Sequence, residues 1–167
     1  TGKAVMENAA KNLTPVTLEL GGKSPALVMK RADVKNAAKK IVFGKFINAG
    51  QTCIAPDYVL VHKEVLKPFL LEVRKSLLKF YGEDPQKSKD YSRIVNKHAL
   101  KRLQEILAKD QDFIILGGRT DTLENYMEPT LLLHDSMSME AMKAEIFGPI
   151  LPIIVYEDIN EALENIQ

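Results

Sequence analysis

The sequence predicts an α/β fold that is built on a mostly parallel β-sheet. Amphipathic helical stretches alternate along the chain with short runs that are almost wholly apolar. Strands that are buried on both faces have this continuous apolar pattern, whereas strands with one solvated face alternate apolar and polar residues. Alternation of helices with such strands is typical of a parallel sheet covered on both faces. The 167 residues, 46% of them hydrophobic, suffice for one domain with a packed core.

Residues 1–62 are expected to contain two helices and three strands. Apolar residues at helical spacing predict a first helix over residues 3–13. They also predict a second helix, which Asp33 caps and which ends near Gly50. The strands are expected at residues 16–20, 26–29 and 58–62.

The rest of the chain continues with further helices and strands. A long amphipathic helix is predicted over residues 66–81 with Gly82 as its stop, and Asn96 is a candidate cap for the next helix. A last helical stripe runs over residues 159–166. The strands are expected at residues 113–116, 130–133 and 151–156.

Composition and charge narrow the possible partners. Twenty-three basic residues oppose 22 acidic ones, so charge gives no reason to expect nucleic acid or an anionic membrane as a partner. A single cysteine excludes an internal disulfide and a cysteine-rich zinc site, and no metal site is expected. Every apolar run is shorter than a bilayer requires, and no leader pattern is present, so we expect a cytoplasmic protein.

Both ends of the sequence interrupt a predicted helix. The chain begins at Thr1 almost directly on helical spacing, and it ends at Gln167 without a helix stop signal. Domain boundaries usually fall in polar linkers rich in proline and glycine. We therefore expect residues 1–167 to be one domain excised from a longer polypeptide.

Ligands of open α/β sheets usually bind at the carboxyl ends of strands, so loops that follow predicted strands are the first candidates. Residues 21–24 (GGKS) follow the expected strand 16–20 and superficially look like a phosphate-binding loop. That motif requires a glycine where Thr17 stands, and a helix where Pro25 and a second strand follow. The sequence therefore excludes a P-loop nucleotide triphosphatase.

Two residues next to flexible loops could carry chemistry. Glu19 interrupts an apolar run, which is explained either by the wetter face of a half-buried strand or by a carboxylate desolvated into a general base. Cys53 follows the polar residues 50–52, and it is either an inert packing residue or a nucleophile. The pattern alone leaves both alternatives open at each position.

Three segments together resemble the principal motifs of the aldehyde dehydrogenase superfamily. They are residues 18–25 (LELGGKSP), 48–53 (NAGQTC) and 145–149 (EIFGP), in that order. The 34 positions between Glu19 and Cys53 also match the family. The flanking residues 13–17 (LTPVT) and 54–58 (IAPDY) resemble its class 3, or fatty-aldehyde, branch.

The resemblance implies a fold, a reaction and a set of site residues. It implies a three-layer α/β catalytic domain, whose cofactor domain lies mostly upstream of Thr1, and NAD or NADP as cofactor. Cys53 is expected to attack an aldehyde and form a thioester after hydride transfer, and its backbone N–H to donate to the oxyanion. Glu19 is expected to activate the hydrolytic water. Glu145 and Phe147 are expected at the nicotinamide end of the cofactor, with Gly21 also in the cofactor-binding set.

The same resemblance sets limits and alternatives. The family's second oxyanion donor, an asparagine, lies upstream of Thr1, so we expect this segment alone to be inactive. The resemblance also implies that the full-length protein is a homo-oligomer, a dimer. An acylating relative that passes the acyl group to coenzyme A is one alternative, although such enzymes typically lack the glutamate found here as Glu19. A non-catalytic structural or binding homologue is the other.

Overall fold

The computed structural model describes residues 1–166, so that Gln167, the last residue of the expected domain, lies outside the described residues. Five helices, α1 to α5, are connected by loops and short 3-10 turns. Their bounds are Gly2–Ala10, Val34–Phe46, Leu66–Tyr81, Lys97–Lys109 and Ile159–Glu164. There are also seven strands, β1 to β7. Their bounds are Pro25–Val28, Tyr58–His62, Ile114–Leu116, Thr120–Asp121, Tyr126–Met127, Thr130–His134 and Ile150–Tyr156. The first two strands alternate with helices, whereas β3 to β7 follow one another between α4 and α5.

Five of the strands form one sheet in the order β1-β2-β7-β6-β3. The first four run parallel, and only β3 pairs antiparallel, with β6. The first four residues of β2 and the first five of β7 are all buried, although successive side chains point to opposite faces. Both faces of the sheet are therefore covered, which confirms the predicted α/β class with a mainly parallel sheet.

Local signals in the sequence account for most helix boundaries. The carboxylate of Asp33 accepts a hydrogen bond from the backbone N–H of Asn36 at 3.1 Å, and the amide of Asn96 accepts one from Ala99 at 2.9 Å. These bonds satisfy N–H groups that have no partner inside the helix. Gly82 takes a left-handed φ of 76° and ends α3 where predicted.

Two predictions for the first twenty residues are wrong. Residues 16–20 form no strand, and Val16 and Leu20 are exposed, because no neighbouring strand pairs with this run. The first helix ends at Ala10 and not at Leu13, whose φ of 54° is left-handed and whose side chain is 92% exposed. Apolar residues without a surface to pack against do not extend a helix or a strand.

Candidate active site

The three motif segments lie side by side at one edge of the sheet. Each segment lies just before a strand: Ser24 precedes β1, Pro149 precedes β7, and residues 54–57 connect Cys53 to β2. These three strands are neighbours and run parallel, so their amino ends meet at the same edge. The motif loops enter the strands instead of leaving them, so they do not lie at the carboxyl ends where ligand loops of open α/β sheets are expected.

The first motif is bonded to the segment that follows Cys53. The backbone N–H of Asp57 donates to the carbonyl of Ser24 at 2.8 Å, which aligns the entries of β1 and β2. The Lys23 ammonium forms an ion pair with the Asp57 carboxylate. It also donates to the carbonyls of Ala141 at 2.8 Å and Ala144 at 3.1 Å, just before the third motif. Lys23 thus joins the first motif to residues that follow the second motif and to residues that precede the third.

The first motif also contacts the third directly, through Glu145. The Glu145 carboxylate lies against Gly21, where a Cβ atom would stand 2.0 Å from its Oε2. The backbone N–H of Gly22 donates to Glu145 Oε1 at 3.3 Å. Any side chain at position 21 would displace the carboxylate. Glycine is therefore required here to seat Glu145.

The second and third motifs meet at two glycines. Gly50 has a φ of 74°, and a Cβ there would stand 2.2 Å from the carbonyl oxygen of Gly148. The preceding residues Asn48 and Ala49 are also left-handed, with φ of 53° and 51°. Consecutive left-handed residues are costly and tend to cluster at functional sites, where the surroundings hold them in place.

Gln51 anchors the cysteine loop to a distant segment. Its Nε2 donates to the carbonyl of Arg93 at 3.0 Å, and its Oε1 accepts from the backbone N–H of Val95 at 2.9 Å. The same Nε2 donates to the carbonyl of Asn48, and the Asn48 side chain donates to the carbonyl of Gln51, both at 3.0 Å. The backbone that leads to Cys53 is therefore fixed on two sides.

The proposed reactive side chains lie on exposed loops. Cys53 is a free, exposed cysteine, and Glu19 is exposed as well. Phe147 is 41% exposed and has a left-handed φ of 49°. The structure brings Gly21 and Glu145 into contact, whereas no hydrogen bond within residues 1–166 joins Glu19 to Cys53. An exposed thiol at the end of a fixed loop favours the nucleophile interpretation over that of a packing residue.

Sequence reasoning missed three charged residues that surround these motifs. Asp57 is 3% exposed, and Arg102 donates from its guanidinium to the carbonyl of Ile146. Lys45 is 1% exposed, and its burial lowers its pKa to about 8, although the nearby Asp57 carboxylate opposes this shift. The signal for Lys45 was a lysine on the otherwise apolar face of α2. The signal for Asp57 was an acid directly before a buried strand.

Within residues 1–166, no three or more histidine, cysteine, aspartate or glutamate side chains converge in a way that could hold a metal ion. None of the helices in that range combines the length and apolarity that crossing a bilayer requires.

The fold and the three neighbouring segments are those of the aldehyde dehydrogenase family. The model of the aldehyde dehydrogenase family matches residues 1–166, and the chain belongs to this family of oxidoreductases. It is 50% identical over 162 residues to 4,4'-diaponeurosporen-aldehyde dehydrogenase of Staphylococcus aureus, covering 97% of this chain and 35% of that protein. It is 42% identical over 163 residues to the dimeric NADP-preferring aldehyde dehydrogenase of Canis lupus familiaris, covering 98% and 36%.

Solved structures agree with the sequence relatives. The substrate-bound state of Staphylococcus aureus AldH matches this fold with a TM-score of 0.92 and 49% identity, covering 98% of this chain and 36% of that chain. The relatives include class 3 members, as the residues flanking the motifs predicted. The chain spans about a third of the length of the relatives it matches.

Proposed function

We propose that the full-length protein oxidises an aldehyde to a carboxylic acid with NAD⁺ or NADP⁺ and that residues 1–167 supply the catalytic domain. The observation that carries this proposal is the convergence of the three motif segments at the amino edge of the sheet. They are joined there by Lys23, by Glu145 seated on Gly21, and by the contact of Gly50 with Gly148. An arrangement held by contacts between distant parts of the chain can orient a nucleophile and a cofactor together.

In this proposal Cys53 is the nucleophile. Its thiolate attacks the aldehyde carbon and forms a thiohemiacetal, whose alkoxide accepts a hydrogen bond from the backbone N–H of Cys53. When bound, the nicotinamide cofactor accepts the hydride that leaves the substrate carbon. The carbon then remains on the Cys53 sulfur as a thioester. The exposed position of Cys53 at the end of the loop fixed by Gln51 supports this role.

Glu19 is proposed as the base of the second half-reaction. Its carboxylate takes a proton from a water molecule, and that water attacks the thioester and releases the acid from Cys53. Glu19 lies two residues before Gly21, on the segment that Lys23 and Gly22 attach to the third motif. Its exposure to solvent gives the carboxylate access to water.

Glu145, Phe147 and Gly21 are proposed to hold the nicotinamide end of the cofactor. The residues fit a ligand of this kind, because the carboxylate of Glu145 is held beside the backbone of Gly21 and Gly22, and the aromatic ring of Phe147, two residues further along, is partly exposed. A carboxylate can accept hydrogen bonds from ribose hydroxyls, and an aromatic ring can pack against a nicotinamide ring. Since the dog relative is described as dimeric and NADP-preferring, a homodimer is part of the proposal.

A product assay on the full-length protein tests this proposal. Purified enzyme is incubated with a series of aldehydes and either NAD⁺ or NADP⁺, with and without coenzyme A. We expect one equivalent of carboxylic acid for each reduced cofactor, at a rate that coenzyme A does not change. An acyl-coenzyme A product would instead establish the acylating alternative. No aldehyde-dependent reduction with either cofactor would favour a non-catalytic homologue.

A further inference from the structure

Ile146 links Glu145 to Phe147, and both of its backbone polar groups are hydrogen-bonded. The backbone N–H of Ile146 donates to Asp57 Oδ1 at 3.0 Å, and its carbonyl accepts from the Arg102 guanidinium. The Ile146 side chain is fully buried in the core. The backbone on which the Glu145 and Phe147 side chains are carried is therefore fixed between them.

Asp57 is oriented in turn by Lys23. The carboxylate oxygen of Asp57 that does not face Ile146 is paired with the Lys23 ammonium. That ammonium has three N–H donors, and the Asp57 carboxylate and the carbonyls of Ala141 and Ala144 accept all three. Lys23 has no donor left for a substrate, so its role is to hold the protein together.

The held peptide carries a conformation that a free loop would not keep. Phe147 has a left-handed φ of 49°, which is disfavoured for a bulky residue unless its surroundings impose it. The bonds to Asp57 and Arg102 are both made by the backbone of Ile146, the residue between Glu145 and Phe147. They are thus placed to fix both side chains at once.

We propose that Asp57, supported by Lys23 and Arg102, is a positioning residue that sets Glu145 and Phe147 for the nicotinamide end of the cofactor. This inference rests on the proposed function, and it adds a role for residues that would not touch the cofactor. Asp57 acts through the backbone of Ile146, whereas the loop that leads to Cys53 is held by Gln51. Loss of Asp57 should therefore weaken cofactor binding without altering the thiol.

The main test is Asp57→Asn in the full-length enzyme. An amide has one acceptor oxygen, so either Lys23 or the N–H of Ile146 loses its partner. We expect the dissociation constants of the oxidised and reduced cofactor and the KM of the oxidised cofactor to rise about tenfold, since a charge-assisted bond to a buried group is lost. The rate at which iodoacetamide labels Cys53 without cofactor should stay within about twofold of the wild type.

Asp110→Asn is the matched control. Asp110 is as buried as Asp57, at 2% exposed, and it also accepts backbone N–H bonds, from Glu140 at 2.9 Å and Ala141 at 2.8 Å. Asp110 therefore holds residues 140 and 141, which lie several residues before Glu145 in the chain. We expect a similar loss of stability with cofactor affinity within about twofold of the wild type. Equal weakening by both variants would contradict a specific positioning role for Asp57.

A double variant tests whether Asp57 acts through Glu145. If it does, Asp57→Asn should weaken cofactor binding less than threefold when Glu145→Gln is already present. A full further tenfold loss would overturn the proposal. If Asp57→Asn does not fold, Arg102→Met removes the other bond of the Ile146 peptide and should give the same KM rise and the same coupling.

The outcomes separate this inference from the proposed function. A wild-type enzyme that binds neither cofactor would overturn both. A wild-type enzyme that binds cofactor and oxidises aldehyde, together with an Asp57→Asn variant of unchanged cofactor affinity, would overturn only the positioning role.

Discussion

The two edges of the parallel sheet differ in how their loops are held. At the amino edge, bonds join residues that are 34, 89 and 123 positions apart, and the central carboxylate, that of Asp57, is buried. At the carboxyl edge, the pairs Lys30–Glu64 and Lys63–Glu157 are exposed to solvent. A cavity of about 430 Å³ lies at that edge, next to His62 and Tyr156.

This difference favours the motif loops over the cavity as the location of the proposed site. Exposed ion pairs are worth about 1 kcal/mol or less, because water screens them. The amino edge instead holds a buried carboxylate and several left-handed residues, an arrangement that a protein keeps only with continuous support from its surroundings. We therefore expect variants at the two edges to behave very differently.

The largest expected effect at the amino edge is that of Cys53→Ser in the full-length enzyme. Aldehyde oxidation should fall by a factor on the order of 10⁴ or more, because a serine hydroxyl has no comparable ionised fraction. Steady-state reduction of cofactor measures the loss. Thr52→Ser, which keeps the thiol and changes its neighbour conservatively, is the control and should stay within several-fold of the wild type. Retention of a tenth of the activity by Cys53→Ser would exclude Cys53 as the nucleophile.

Alanine substitution at two glycines with nearly the same φ distinguishes the cost of a backbone clash at the site from the cost of left-handed strain alone. A Cβ on Gly50 (φ 74°) would meet the Gly148 carbonyl, whereas a Cβ on Gly82 (φ 76°) would have no atom within 4 Å. Gly50→Ala should cost about 4 kcal/mol of unfolding free energy, from left-handed strain plus a backbone clash. Gly82→Ala should cost only the strain, about 1 kcal/mol. Chemical denaturation measures both, and equal costs would mean that the two motifs are not in tight contact.

The buried Lys45 predicts a pH dependence of stability. Its pKa in the folded protein is about 8, below the ordinary 10.5, so between these values the unfolded chain binds more protons. The free energy of unfolding should therefore rise by up to about 3 kcal/mol from pH 8 towards pH 10.5, as the cost of the buried charge is removed. Lys45→Met should abolish this rise relative to the wild type in denaturation at pH 7 to 10. If Lys45→Met kept the same pH dependence of unfolding free energy as the wild type, the account of Lys45 as a buried, charged group would be contradicted.

The smallest effect is expected at the carboxyl edge. His62 Nδ1 accepts from the backbone N–H of Glu64 at 3.2 Å, and its ring packs edge-on against Tyr156 at 5.4 Å. His62→Gln should cost about 1 kcal/mol of stability or less and leave aldehyde oxidation within about twofold of the wild type. More than a tenfold loss of kcat would place functional groups at this edge and weaken the contrast between the two edges.

Much of the fold could be predicted because it depends on local patterns. The strand Tyr58–His62 and the helix Leu66–Tyr81 have the predicted bounds, and Asp33 and Asn96 are the predicted caps. Hydrophobic periodicity and capping residues act within a few positions of the chain. Residues 16–20 were predicted wrongly because a strand also requires a partner, which local sequence does not reveal.

The site was predictable only in part for the same reason. The resemblance to the family pointed to Cys53 and Glu145, and their roles stay predictions. It did not show what holds them: the pair Lys23–Asp57 spans 34 positions, and Asp57 reaches Ile146 across 89. Contacts of this range follow from the sheet order β1-β2-β7, which brings distant loops to one edge. No periodicity in the sequence encodes that order.

The most direct test of an active site at the amino edge is to trap the intermediate on Cys53. In full-length Glu19→Gln, aldehyde and cofactor should give a burst of about one reduced cofactor per site, after which turnover stalls because the thioester is not hydrolysed. Peptide mass spectrometry of the stalled enzyme should then find the acyl group on the peptide that contains Cys53. Steady turnover near the wild-type rate with Cys53 unmodified would contradict the proposed roles of both residues.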